Sequence, residues 1–556
     1  MIWEILLKFG KAPGVRPEPI PIGPVTVFVG PNNSGKSKVL NEIEHRCYHG
    51  TGHTHDVIIE NVRFRGITPG EVPTSIERLM VPPNRNEAVG AGNIILASRR
   101  QRVQVNRAEL ARVVEDPSIN PAAFASWFLQ HLTTKLDGPS RVGLVAPQPA
   151  GDLLVPEHST LQVLFRDDVK RAQVRRIVHE AFGTYFVIDP SALGSLRIRL
   201  SAREPTNPTE ERGIHQAAVD FHRAASPIEL SSDGVKAFTG IITELVAGDP
   251  KILLIDEPEA FLHPALAFKL GQEISTTALN SDKKVFASTH SPTFVMGCIQ
   301  SGAPVTIIRL TYRANVATAR VLPSQEMLQL MRNPLLRSTG VLQGVFYEFV
   351  VVTESDTDRA FYQEINDRLL RSNPQSGIPN CLFINAQGKH SIHTILRPLR
   401  KLGIPAAAIY DVDALSEGGV PWTNILEASN IPEIARGGLA NLRAAIKQAA
   451  DASGRNIKRE GGISVLQARD QEAAHNLLRQ LADYGVFIIP GGELESWLRA
   501  LGITGHGPSW LTAIFERMGD DPNAPGFIAP QAGDVWEFIA QVRQWLVNPN
   551  KQGIPS

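Results

Sequence analysis

The octapeptide Gly30-Pro31-Asn32-Asn33-Ser34-Gly35-Lys36-Ser37 constrains this chain more than any other stretch. It fits G-x-x-x-x-G-K-[ST], follows the apolar run Val25–Val29 (VTVFV) and precedes a helical pattern that begins near residue 38. Strand, loop and helix in that order let backbone N–H groups curl toward an anion, and the helix adds its positive N-terminus. Gly30, Asn32, Asn33, Ser34 and Gly35 would form the cradle of a nucleotide phosphate. Lys36 would place a point charge on the β- and γ-phosphates, and Ser37 would offer its hydroxyl to Mg²⁺.

Downstream, residues 251–255 (KILLI) read as a buried strand ending in Asp256-Glu257-Pro258. Two carboxylates there suit a metal-and-base pair: Asp256 would hold Mg²⁺, and Glu257 would orient and deprotonate an attacking water. A third strand, 284–288, leads into Thr289-His290-Ser291-Pro292. Between these lies Glu229-Leu230-Ser231-Ser232-Asp233-Gly234, opening a helix about twenty residues before Asp256. Continuous apolar runs joined by helical crossovers argue for a sheet covered on both faces. Together these motifs resemble the ATPase heads of the ABC and SMC type. The resemblance implies that ATP is sandwiched between two copies, that Ser232 and Gly234 complete the partner's site, and that His290 senses the γ-phosphate. It thus implies self-association through the heads, as a dimer or higher.

A second α/β series begins near 345, with strands expected at Phe349–Thr353, Cys381–Asn385, Ala406–Tyr410 and 486–489. The first leads into Glu354-Ser355-Asp356-Thr357-Asp358, and the third ends in Asp411-Val412-Asp413. A further acidic pair, Glu493 and Glu495, follows the fourth. So many carboxylates at strand ends repel one another without a cation. Glu354, Asp358, Asp411, Asp413 and Glu495 therefore form a candidate oxygen-ligand set for Mg²⁺ or Mn²⁺, and two such ions would suit phosphodiester hydrolysis. The arrangement resembles the TOPRIM fold. Joined to the head, it resembles the overcoming-lysogenization-defect (OLD) family of ATP-dependent nucleases, whose broader group includes the Gabija anti-phage nuclease subunit. That resemblance covers residues 20–510. It implies Glu354, Asp358, Asp411 and Asp413 as catalytic groups, double-stranded DNA as substrate, a role in anti-phage or anti-plasmid defence, and a possible partner defence protein. Two features depart from the family: Ser355 stands where a glycine is usual, and His506 lies where a lysine is expected downstream of the acidic pair. Lys389 and Lys551 are candidate substitutes. A sensor or scaffold clamp whose TOPRIM domain binds without cutting is the alternative.

The fold class expected is thus α/β, an ABC/SMC-like P-loop head with a mixed sheet followed by a TOPRIM-like parallel domain. The expected division is 1–325 for the ATPase head, 326–344 for a linker, 345–515 for the TOPRIM-like domain and 516–556 for a C-terminal helical segment. In that last segment Val535, Phe538, Val542 and Trp545 recur at helical spacing, as core residues do. Lys+Arg and Asp+Glu both number 56, so any nucleic-acid contact must come from local patches. Arg99, Arg100 and Arg102, and Lys170 and Arg171 with Arg175 and Arg176, are such patches; ion pairs explain them equally well. The cysteines Cys47, Cys298 and Cys381 form no pairing pattern, and no apolar run reaches membrane-spanning length. A cytoplasmic protein without membrane contact is expected. Cys47, His49, His53 and His55 match no tetrahedral zinc spacing, so a solvated loop is expected there. Gln101 and Gln104 are both candidates for the metal-linking glutamine of the head.

Overall fold

The computed structural model describes residues 1–97, 102–154, 157–313, 315–334, 336 and 340–555. The chain divides into two compact units, one comprising Met1–Val29 and Asn33–Leu328, the other centred on Gln329–Ser556. Among the described residues no helix is long and apolar enough to cross a membrane.

The first unit is built on a six-stranded sheet. Its strands are β1 (Val25–Val29), which feeds helix α1 (Lys36–His49); β2 (Thr133–Leu136); β3 (Ile252–Asp256), preceded by helix α2 (Asp233–Ala247); β4 (Lys284–Ser288); β5 (Val305–Arg313); and β6 (Val316–Leu322). They lie in the order β6-β5-β1-β4-β3-β2. All pairs are parallel except the β5–β6 edge. All five residues of β1 are buried, as are Ile252, Leu253, Leu254 and Ile255 of β3, because helices cover both faces. Register sets the chemistry: Asp256 pairs with Ser288, and Ser288 with Phe28, so the acidic end of β3 lies one strand away from the end of β1.

Asp137 and Ser140 start the short helix Gly138–Gly143 with a reciprocal capping box. The polar, Pro-containing stretch 203–212 contains the helix Pro208–Arg212, whose Glu211 is buried.

The second unit holds a four-stranded parallel sheet of β7 (Phe349–Thr353), followed by α3 (Asp356–Ser372); β8 (Cys381–Asn385), followed by α4 (Ile392–Lys401); β9 (Ala406–Tyr410), followed by the long α5 (Glu433–Ser453) and α6 (Ala468–Ala482); and β10 (Val486–Ile488). The order is β8-β7-β9-β10, which makes β7 and β9 adjacent central strands. Two further helices, α7 (Gly507–Met518) and α8 (Asp534–Val547), complete the unit, and the expected boundary at 515/516 falls inside α7.

Helix α8 does not stand apart. Val535, Phe538, Val542 and Trp545 join one core with Phe361, Tyr362, Phe487, Trp497 and Trp510. Phe538 packs at ring-centroid distances of 5.1 Å from Trp497 and 6.1 Å from Tyr362, directly behind α3. Deleting that ring leaves a cavity that neighbouring aromatics fill only in part. Phe538→Ala should therefore destabilise this unit by about 3–5 kcal/mol; a denaturant midpoint unchanged from that of the parent chain would refute the packing role.

Candidate functional site

In the head, the phosphate loop has the backbone its sequence demands. Gly30 and Gly35 take φ of 140° and 95°, and Asn33, a residue that tolerates the left-handed region, sits at 61°. A Cβ on Gly35 would also meet Ile58 Cδ1 at 2.7 Å. Lys36 is only 5% exposed, and burial lowers its pKa to about 8 although Glu257 and Asp256 lie near enough to raise it. An anion placed against this ammonium would restore its charge.

Asp256 Oδ1 accepts hydrogen bonds from Ser37 Oγ at 3.0 Å and from Ser288 Oγ. The hydroxyl after the phosphate loop and the carboxylate at the end of β3 are therefore already in contact. Glu257 follows in the left-handed region at φ 50°, a conformation costing roughly 1–2 kcal/mol for a residue with a Cβ. Its N–H donates to Ser288 O at 2.8 Å, and its carbonyl accepts from the Arg141 guanidinium. Held at both ends of its backbone, the residue keeps a half-exposed carboxylate whose Oε1 lies 3.9 Å from His290 Nε2. Burial, then Lys36, lowers the His290 pKa, which favours a neutral imidazole. Glu259 is half-buried, its Oε1 accepting from Thr289 Oγ1 at 2.7 Å and His290 N at 2.9 Å. Arg141, Ser288 and Glu259 had drawn no attention in the sequence; Arg141 lies 116 residues from Glu257, and no local pattern links them.

Ser232 caps α2 and is exposed, with Ser231 half-buried beside it. Gly234 has a further reason to be glycine, since a Cβ there would meet Phe261 O at 2.5 Å.

Several expectations are corrected or placed. Arg171 and Arg175 are not free to track a phosphate backbone: Arg171 is 3% exposed and both guanidiniums bond Glu211, at 3.0 and 2.6 Å. Arg176 pairs with Glu180 at 2.9 Å. Arg102 is held by Glu87 at 2.5 Å, while Arg99, Arg100 and Gln101 lie outside the described residues. The Gln104 carboxamide, oriented to satisfy its neighbours, donates to Ala88 O at 3.2 Å and accepts from Gly90 N at 3.0 Å, so its own hairpin occupies it. Cys47 is fully buried with its thiol pushed up to about 12 by burial, away from the exposed His49, His53 and His55.

In the second unit, Glu354 at the end of β7 accepts from Asp411 N at the end of β9, 2.9 Å from its Oε1. That bond ties the two central strand ends together. Carboxylate oxygens of Glu354, Asp411 and Asp413 lie within 4.8 Å of one another. Burial, then the neighbouring Asp411, raises the Glu354 pKa to about 8; burial also raises that of Asp411. Asp358 completes a capping box with Ser355, its Oδ2 accepting from Ser355 N at 2.8 Å, so the serine in the glycine's place starts α3. Burial, then Asp411, raises the Asp358 pKa to about 6. Glu495 belongs to a second group with Glu493 and His506, in which His506 Nδ1 stands 2.7 Å from Glu495 Oε1.

Two ammonium groups enter the first cluster. Lys389 Nζ is 2.9 Å from Asp413, and Lys458 Nζ is 2.7 Å from Asp411 and 3.4 Å from Asp413. Lys458 was missed: it precedes β10 instead of following the acidic pair, in a stretch without a motif. Asp413 Oδ1 and Glu493 Oε2 are buried without a hydrogen-bond partner among the described residues. Unpartnered carboxylate oxygens in an all-oxygen set fit a hard divalent cation, and His506 adds a nitrogen that Mn²⁺ accepts more readily than Mg²⁺.

Two family models match parts of the chain. The family described as "AAA domain, putative AbiEii toxin, Type IV TA system" matches residues 173–296, and "Overcoming lysogenization defect protein-like, TOPRIM domain" matches residues 345–413. The chain joins an AAA-type ATPase domain to an OLD-like TOPRIM domain. That pairing is the one the OLD family resemblance implies. No curated protein matches the chain. Among solved structures, an Smc head bound to the C-winged helix domain of ScpA is 15% identical, covers 59% of this chain and 99% of its own, and gives a TM-score of 0.34. The SMC head domain from Thermotoga maritima is 14% identical, with 58% and 99% coverage and a TM-score of 0.29. An Smc head from Pyrococcus furiosus is 13% identical, with 59% and 98% coverage and a TM-score of 0.30.

Two outcomes follow from this geometry. Glu257→Gln keeps the size and polarity of the side chain but removes a proton acceptor, so ATP should still bind while turnover falls by about 10²–10⁴. Normal turnover would show that another group takes the proton. For the acidic cluster the sign is fixed by the raised pKa values of Glu354, about 8, and Asp358, about 6. Without a cation the folded state holds protons that the unfolded chain releases, so stability should fall as pH rises from the ordinary carboxylate range to 8. A divalent cation replaces those protons. The melting-temperature rise given by Mn²⁺ over EDTA should therefore be larger at pH 8 than at pH 6; an equal rise at both would contradict the assignment.

Proposed function

We propose that the chain is an ATP-regulated, divalent-metal-dependent DNA endonuclease or nickase. The observation that carries this reading is the Glu354, Asp411 and Asp413 cluster at the ends of two adjacent parallel strands, with Lys458 beside it. Glu354, Asp411 and Asp413 would hold one Mg²⁺ or Mn²⁺, with Asp358 at its border; Glu495, with Glu493 and His506, would serve a second. Bound there, such ions would polarise a phosphodiester and lower the pKa of a water. Lys458, and Lys389 behind it, would balance charge developing on the phosphate, the role the family gives to a lysine later in the chain.

In the head, the loop from Gly30 to Ser37, including Asn32, Asn33 and Ser34, would bind ATP with Mg²⁺ held by Ser37 and Asp256. Glu257 would be the base, with His290 against the γ-phosphate. Ser232 and Gly234 of a second copy would close the site, so ATP would clamp two heads and set the state of the TOPRIM domain. The exposed cap of α2 supports that reading. Double-stranded DNA as substrate, defence against phage or plasmid as setting, a cytoplasmic location and a partner defence protein rest on the family resemblance.

One observation favours the second reading, a clamp that binds without cutting. Lys389 and Lys458 already neutralise Asp411 and Asp413, and an ammonium in a cation's place competes with it. Nicking of supercoiled plasmid in Mg²⁺ or Mn²⁺, with and without ATP, separates the two. For the nuclease, Asp411→Ala should abolish nicking and Lys458→Ala should slow it by about 100-fold. For the clamp, the wild type nicks under no condition, and Lys458→Ala tightens Mn²⁺ binding.

A further inference from the structure

Strand β2 pairs in parallel with β3, Leu136 lying opposite Ile255, so the chain leaving β2 runs beside the turn that carries Glu257. It enters the short helix Gly138–Gly143, which bears Arg141. Arg141 is 2% exposed, and its guanidinium donates to backbone oxygens: Nε to Asp137 O at 3.0 Å and Nη1 to Glu257 O. Burial lowers the pKa of this group, and Glu259, then Glu257 and Asp256, act against that shift. The carboxylates of the site thus favour a charged guanidinium whose hydrogen bonds go to the main chain. Such a group fixes the course of a backbone.

The backbone it fixes is an unusual one. Glu257 stands at φ 50° and Phe261, in the same turn, at 70°. Left-handed residues that carry a Cβ persist where their surroundings hold them. The Glu257 carbonyl accepts from Ala260 N at 2.9 Å on one side and from Arg141 on the other. Without the guanidinium that peptide is free to rotate, and the carboxylate turns with it. Helix α2 meets the same arrangement at two points. A Cβ on Gly240 would come within 2.7 Å of Arg141 O and 2.9 Å of Leu144 Cβ, and one on Gly234 would meet Phe261 O at 2.5 Å. The helix that Ser232 caps therefore packs against both Arg141 and the turn after Glu257.

We propose that Arg141 is a positioning residue for ATP hydrolysis: its guanidinium holds the Glu257 peptide so that the carboxylate faces the attacking water, and Gly240 of α2 seats it there. This rests on the reading of Glu257 as the base. It adds the group that keeps the base in place, and it makes α2 an element whose displacement reaches that base.

ATP turnover and equilibrium binding of a fluorescent ATP analogue, both measured on the full chain in Mg²⁺, test the assignment. Arg141→Met should leave affinity within about twofold and lower kcat by about 30–100-fold, the scale of a misplaced reacting group. Arg141→Lys keeps one donor and should recover part of that loss; should Arg141→Met not fold, the lysine variant carries the same comparison. In a Glu257→Gln background Arg141→Met should cost nothing further, as for residues that act as a unit. Gly240→Ala should lower kcat at unchanged affinity and be less than additive with Arg141→Met. An unchanged kcat in Arg141→Met overturns the proposal, and so does a full further loss in the Glu257→Gln background. A fall in affinity as large as the fall in kcat also overturns it, since Arg141 would then touch the nucleotide or serve folding alone. Full additivity with Gly240→Ala, or no effect of that variant, removes α2 as the seat. A wild type without ATP turnover removes the ATPase reading together with the proposal, whereas normal turnover in both wild type and Arg141→Met removes the proposal alone.

Discussion

Carboxylates at the C-terminal ends of neighbouring parallel strands cannot all be ionised unless something positive stands between them. Both units of this chain are organised around that constraint. In the head, one register pair sets Asp256 against Ser288, and the hydroxyls of Ser37 and Ser288 satisfy the carboxylate while Lys36 lies nearby. In the second unit Glu354 reaches across to the backbone of Asp411, and Lys389 and Lys458 supply the charge. Parallel sheets make this possible because every strand ends at the same edge, with backbone N–H groups and helix N-termini pointing there.

Those strand ends were the legible part. Four apolar runs followed by Asp-Glu, Thr-His, Glu-x-x-x-Asp and Asp-x-Asp locate β3, β4, β7 and β9, since a short run buried on both faces leaves little alternative. What stayed hidden was everything joined through space alone. Lys458 lies in no motif, Arg141 reaches Glu257 from another part of the first unit, and Glu211 sits in a stretch whose Pro and polar residues look like a loop. The basic face of residues 170–176 stayed open between ion pairs and a phosphate contact for the same reason. Helical spacing shows which arginines share a side, but not that a buried glutamate waits opposite two of them.

On the nuclease reading proposed above, the lysines are a case in which chemistry would be kept while sequence order changes. A cation near a scissile phosphate needs only to be within reach and held by a carboxylate. The strand that delivers it is immaterial. The position downstream of the acidic pair carries His506, bound to Glu495, while Lys458 comes from the segment between α5 and α6 to pair with Asp411. Its ion pairs with Asp411 and Asp413 would give an arriving divalent cation a competitor at the same oxygens. Displacing that ammonium would release it toward the phosphate that arrives with the metal. Metal loading and positioning of the positive charge would then be a single event, so on that reading a lysine that opposes metal binding in the free protein would still assist the proposed reaction.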